Sequence, residues 1–247
     1  MIIFLLYISK SNNSVIDIDE SIHHKEVAPK SAVMLSINMN NVSSRGEPYS
    51  IKARMAEQKS LYITELIDVE VEFLLHSHGK LLIKAHSCIV DRNNETLVFN
   101  NKVHITLGSH KLHGDYLLFD LKNHRAQIAG NIEAQYNDII LQANQAELNE
   151  KNIIFENSVY VRQAQQWGKS NKLAIFYSYI HNLQLDRVEA IGDVHLSSIY
   201  GTIIADAAYY KDGKLEMISK KVTNTDIKDL SQDHSRRVIG TFNAPDQ

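Results

Sequence analysis

The chain has 247 residues, 44% of them hydrophobic and 22% charged, with a formal net charge of −3. That much apolar material builds a sizeable core and excludes wholesale disorder, and the slightly negative balance leaves no electrostatic footprint for nucleic acid. Cys88 is the only cysteine, so an intrachain disulfide, a thiolate metal cage and a Cys-x-x-Cys redox pair are all excluded.

The chain opens on IIFLLYI, Ile2 to Ile8. It is too short for a bilayer span, which takes about 20 apolar residues, and it lacks the charged start of a signal peptide. Two readings stay open: a short buried strand, or the last turns of a membrane anchor that begins upstream. Residues 9–30 are polar, have no sustained period and end near Pro29, as a linker does. Residues 1–30 are therefore read as anchor remnant and linker.

From Ser31 onward apolar and polar residues alternate at period two, the mark of strands with one buried face. In LIDVEVEF, Ile67, Val69, Val71 and Phe73 share one face and Asp68, Glu70 and Glu72 the other. The only hint of a helical period is a weak stretch from Ile51 to Leu66. A four-residue pattern then recurs: Phe99, Asn101, Val103, Ile105; then Ile128, Gly130, Ile132, Ala134; then Phe155, Asn157, Val159, Val161; then Ala190, Gly192, Val194, Leu196. A second strand of the unit carries a small residue at Ala85, Gly114, Ala143 and Ala205, with KLAIFYSYIHN assigned to a missing copy whose small residue is lost. The period of about 30 residues marks one supersecondary unit copied along the chain. The longer final step assigns QAQQWGKSNK to a loop insertion, with Trp167 as a loop anchor or a contact.

Gly and Asn fall at one register of the inward face, where they predict bulges or bends that curve the sheet. With only 10 Gly and 3 Pro, many turns fall to Asn, Asp, Lys and His. KDGK at Lys211 predicts a tight hairpin. The tail 223–247 shows little pattern and is read as mobile. The expected fold is all-β: antiparallel, curved, elongated and built from repeated strand pairs. A flat sandwich with a filled core is the second choice, and a right-handed parallel β-helix the third.

Catalytic signatures are missing: the sequence has no H-E-x-x-H, G-x-S-x-G, P-loop or G-x-G-x-x-G. Two histidines at i and i+2 on a strand share a face, so His76 and His78, with nearby His86, are geometrically able to start a metal site, and His110 and His113 are further candidate ligands. A third convergent ligand is needed, and His76 and His78 precede Gly79, where a hairpin must reverse. No metal or other cofactor is expected. Asp68 and Glu70 alternate with an apolar face, which fits a solvated strand better than the paired carboxylates of a glycosidase.

The order RGEPYSIKARMAEQ, LIDVEVEF and LIKAHSCIVDRNNETLVFNNKVHI resembles the LptC family, the inner-membrane-anchored periplasmic component of the lipopolysaccharide export machine. The matching residues are Gly46, Pro48, Tyr49, Ile51 and Ala53 of a G-x-P-Y-x-[IL]-x-A opening, the small Ala85, and Asn101 before Val103. The likeness covers residues 31–162. Residues 163–222 are similar to the repeat of LptA or OstA-like proteins. The resemblance implies an elongated, twisted antiparallel β-jelly roll whose apolar interior holds acyl chains, here through Val69, Val71, Phe73, Val103, Ile105, Ile132 and Val159. It further implies a non-catalytic role: receiving lipopolysaccharide from the membrane subunits of an ABC transporter and passing it to an LptA-type protein through strand-edge pairing. The setting is the periplasm, with a tether to the inner membrane. A structural or docking β-repeat with a closed core, and more remotely a carbohydrate-active β-helix enzyme, are the competing classes.

Overall fold

The computed structural model describes residues 32–43, 46, 48–75, 79–123, 125–149, 151–179, 183–199, 201–219 and 236–241. The segment Ile2 to Ile8, the linker, and His76 and His78 lie outside them.

The described residues are all-β and contain no helix. Fourteen strands follow one another: β1 (Val33–Val42), β2 (Pro48–Gln58), β3 (Ile63–Leu75), β4 (Gly79–Asp91), β5 (Thr96–Leu107), β6 (His110–Asp120), β7 (Arg125–Tyr136), β8 (Ile139–Leu148), β9 (Asn152–Gln163), β10 (Gln166–Tyr179), β11 (Leu183–Ser198), β12 (Gly201–Lys211), β13 (Lys214–Ser219) and β14 (Arg236–Thr241). They form one antiparallel sheet in sequence order, and β1 and β14 do not meet, so it does not close into a barrel. Short connections between sequential neighbours make this meander the expected result of hairpin-spaced alternation. The Asp212-Gly213 turn has φ of 50° and 74°, the primed geometry that suits a twisted hairpin.

A single row of corners bends the sheet. On β5, β7, β9 and β11 two consecutive residues take positive φ: Asn101 and Lys102, Gly130 and Asn131, Asn157 and Ser158, Gly192 and Asp193. Ser36 on β1 and Asp68 on β3 do so singly. Pairing registers shift at these points all the way from β4 to β12. Each long strand is thereby broken into two halves, and the sheet folds into two facing half-sheets. We call lower the half whose strands meet at positions 92–95 and 149–151, and upper the half whose strands meet at 108–109 and 137–138. The halves pack on each other: Phe73 of the upper half meets Phe119 of the lower half edge-on at 5.4 Å.

These corners correct the expected placement of Gly and Asn on the inward face. Asn101 and Asn157 are exposed on the outside of the bend, where Asn tolerates the left-handed region and Gly adopts it freely. At Gly130 (φ 76°) an added Cβ would lie 2.4 Å from Asp115 Oδ2, so conformation and space both demand glycine. The recurrent small residue of the even strands sits on the concave side of the same bend. Ala53 pairs with Val69, Val69 with Ala85, Val103 with Gly114, Ile132 with Ala143, and Val194 with Ala205. Large and small alternate because the inside of a fold has room for only one branched side chain per pair.

Three local expectations fail for identifiable reasons. The weak helical period from Ile51 to Leu66 is β2, a turn and the start of β3; its apparent 3.6 spacing arises because the inward parity changes at the corner, from Ala53 to Ala56. QAQQWGKSNK is not an insertion but the tight β9–β10 hairpin and the first half of β10. The missing small residue is Ser170, buried and paired with Val159, and the added length lies in the β10–β11 hairpin, whose strands run to 14 and 16 residues. The tail read as patternless supplies β14, paired along β13.

One apolar cluster runs through the interior from Ile51 to Ile175, and a smaller one joins Val194, Ala205, Ala208 and Met217. Burying each large side chain contributes about 1.5–3 kcal/mol before ordering costs. The outer face carries opposite charges across strands, with Lys84 Nζ 2.8 Å and Lys52 Nζ 3.9 Å from Glu70. Such exposed pairs stabilise by only about 0–1 kcal/mol each, so the interior carries the fold.

Candidate functional site

Two half-sheets joined along one row of corners enclose an apolar interior whose ends, among the described residues, are not sealed by further strands. At the β1 end a cavity of about 230 Å³ lies between them. Met39 and Ile51 of the upper half and Leu97 and Leu121 of the lower half make its apolar walls, and Thr64, Asp91, Arg92 and Glu95 its polar rim.

The local sequence builds this mouth. Gly46, at φ 81°, follows a turn in which its N–H donates to the Ser43 carbonyl at 2.9 Å. Pro48 starts β2 opposite Val42 of the edge strand, a position compatible with its missing N–H. Tyr49 then stacks on Phe73 at 5.3 Å. Ile51 is fully buried and Ala53 takes the concave corner. The Gly46, Pro48, Tyr49, Ile51, Ala53 series thus runs from the rim of the cavity to the fold line. Burial, and after it the charge of Glu95, pushes the Tyr49 phenol above its ordinary pKa, so the hydroxyl stays neutral. On the facing rim, the Asp91 carboxylate accepts hydrogen bonds from Asn93 N at 2.9 Å and from Asn94 N and Nδ2 at 3.1 and 2.7 Å. These bonds hold its pKa down and fix the turn that carries Arg92 and Glu95.

All seven residues expected to face the interior do so. Val69, Val71 and Phe73 on β3, Val103 and Ile105 on β5, Ile132 on β7 and Val159 on β9 belong to the one apolar cluster, each at most 3% exposed. They all lie in the upper half-sheet. The opposing wall, Leu66, Cys88, Leu97, Phe119 and Phe155 among others, escaped sequence reasoning because its pairing with the upper half depends on the fold line. Phe99, Ile128 and Phe155 in the repeat were the signal for it.

The histidines do not gather as the spacing suggested. His86 Nδ1 lies 2.9 Å from Asp68 Oδ1 at the corner, His110 stacks on Tyr136 at 4.5 Å, and His113 meets His104. No group of three or more His, Cys, Asp or Glu among the described residues is arranged to hold a metal. Tyr160 stacks on Trp167 at 6.2 Å, which makes the tryptophan a strand contact and not a loop anchor. The mouth presents an apolar slot with a neutral phenol, a guanidinium and carboxylates around it.

Both free edges lie beside this interior. β1 exposes Val33 and Leu35 and, among the described residues, has no partner on its far side. β13 pairs only with Ala207 to Lys211 of β12, so among the described residues the upper half of β12, with the exposed Ile203 and Ile204, ends the sheet.

Comparison with known proteins gives no match, either to a family model or to a curated protein.

Proposed function

We propose that this chain is a non-catalytic lipid-binding component of lipopolysaccharide export, an LptC-like unit. In this reading it takes lipopolysaccharide from an inner-membrane ABC transporter and passes it along a periplasmic β-bridge. The observation that carries the reading is the apolar interior between two hinged half-sheets, with a cavity at its β1 end lined by Tyr49 and Ile51 of the Gly46-to-Ala53 series. Each acyl methylene moved from water into such a slot gains about 0.8 kcal/mol, and no catalytic group is needed to hold it. The unpartnered edges of β1 and of the upper half of β12 suit strand addition by neighbouring bridge proteins.

A second reading is favoured by the near-complete burial of Val103 and Ile132: a docking β-module with a closed core and no lipid cargo. In-cell photo-crosslinking separates the two. A photoreactive residue at Met39, on the cavity wall, is expected to form a lipopolysaccharide adduct, whereas one at Asn38, exposed on the outer face, is not. A folded protein without an adduct at Met39 overturns the lipid reading in favour of the docking module.

A further inference from the structure

We propose that His104 and His113 form a two-histidine site for a divalent transition-metal cation, Cu2+, Ni2+ or Zn2+, on the outer face of the upper half-sheet. The two residues are direct cross-strand partners on β5 and β6. Their rings meet edge-on with centroids 4.6 Å apart, and the two Nδ1 atoms lie within hydrogen-bonding distance of each other. Imidazole suits these cations, and cross-strand neighbours hold their Cβ atoms at a spacing that one ion can bridge.

The surroundings favour a cation. Lys84 flanks His104 across the β4–β5 ladder, but its ammonium is held 2.8 Å from Glu70. Glu133 flanks His113 from β7 and places a carboxylate beside the pair. Without metal, one Nδ1–H donates to the other Nδ1. On binding, that proton moves to the Nε2 of the same ring, so a neutral pair needs no net proton release. Metal–nitrogen bonds of about 2.0–2.1 Å require the rings to part slightly, which the exposed His104 side chain allows. Solvent completes the coordination.

The site would clamp β5 to β6 on the outer wall, next to the corner. Sequence spacing did not suggest it, because the partners belong to two strands of one hairpin and not to one strand.

The test is an amide ¹H–¹⁵N spectrum of the full chain with substoichiometric Cu2+ at pH 7.5. The expected result is paramagnetic broadening centred on His104 and His113. His113→Gln should weaken Cu2+ binding at least tenfold by calorimetry, with spectral dispersion retained. His104→Gln, at the more exposed position, repeats the test should the first variant not fold. Broadening centred elsewhere, or unchanged in the variants, overturns the proposal.

Discussion

The corner row makes a quantitative prediction at two glycines that share a backbone conformation but not an environment. Gly130 and Gly192 have φ of 76° and 77°, so replacing either by Ala incurs the same left-handed penalty of about 1–2 kcal/mol. They differ in what an added methyl meets. At Gly192 the nearest atom is the flexible end of Asn171, Nδ2 at 2.8 Å, with its Cβ at 3.2 Å. At Gly130 both Oδ2 and Cβ of Asp115 intrude, at 2.4 and 2.8 Å, and Asp115 must also swing away from Asn131, whose Nδ2 donates to Oδ2 at 2.8 Å. A lost hydrogen bond adds about 0.5–1.5 kcal/mol and an off-rotamer side chain about as much. Gly192→Ala should therefore cost about 1–2 kcal/mol and Gly130→Ala about 2–5 kcal/mol. Urea unfolding followed by circular dichroism measures both, and the melting temperature should fall by about 2–4 °C per kcal/mol. Equal losses at the two sites, or a loss at Gly130 under about 0.5 kcal/mol, would refute the reasoning that the fold line is tightest between β6 and β7.

The corner also carries a pH signature. Asp68 accepts from Arg54 Nε at 2.6 Å and meets His86 at 2.9 Å, and these bonds, Arg54 first, hold its carboxyl below the usual range. With the folded pKa depressed, the stabilisation is present above the unfolded value of about 3.9 and is lost as pH falls through the lower folded value. A carbon-13 titration of the Asp68 carboxyl should give a midpoint below 3.9 that rises in Arg54→Ala; a midpoint indifferent to Arg54 refutes the assignment. Cys88 reports on the interior itself. It is fully buried, and desolvation raises its thiol pKa far above the ordinary value, so a thiol-disulfide reagent should leave it unmodified in native buffer and label it fully in denaturant. Rapid native labelling would show that the half-sheets part readily.

The strands themselves were legible because alternation is local: a residue facing the core of a pleated sheet is apolar wherever the sheet later folds. Hence Val69, Val103, Ile132 and Val159 could be placed inward before any pairing was known, and the repeat that aligns them follows the corners closely. The errors are equally physical. A corner with two left-handed residues, as on β5, keeps the alternation in step, so Asn101 reads as part of the inward face although it stands outside the bend. A corner with one left-handed residue, as on β3, or with none, as on β2, shifts the parity and imitates a helix. Ser170 was missed because a polar residue filled a position chosen for size, its hydroxyl bonded to the Lys172 carbonyl at 3.0 Å. The extra length of the β10–β11 hairpin was displaced onto its neighbour, since a period shows how many residues are added but not which hairpin receives them.

The amino-acid sequence by itself determined an all-β chain of repeated strand pairs and the apolar face of most of its strands, because these depend on nearest-neighbour stereochemistry and side-chain periodicity. Only the tertiary structure decided that the sheet folds along one row of corners, that Phe73 meets Phe119, that Tyr49 and Ile51 line a cavity, and that His104 faces His113. Each of those facts joins residues on different strands or on opposite halves of the fold, and such proximity depends on registers and bends that no single stretch of sequence encodes.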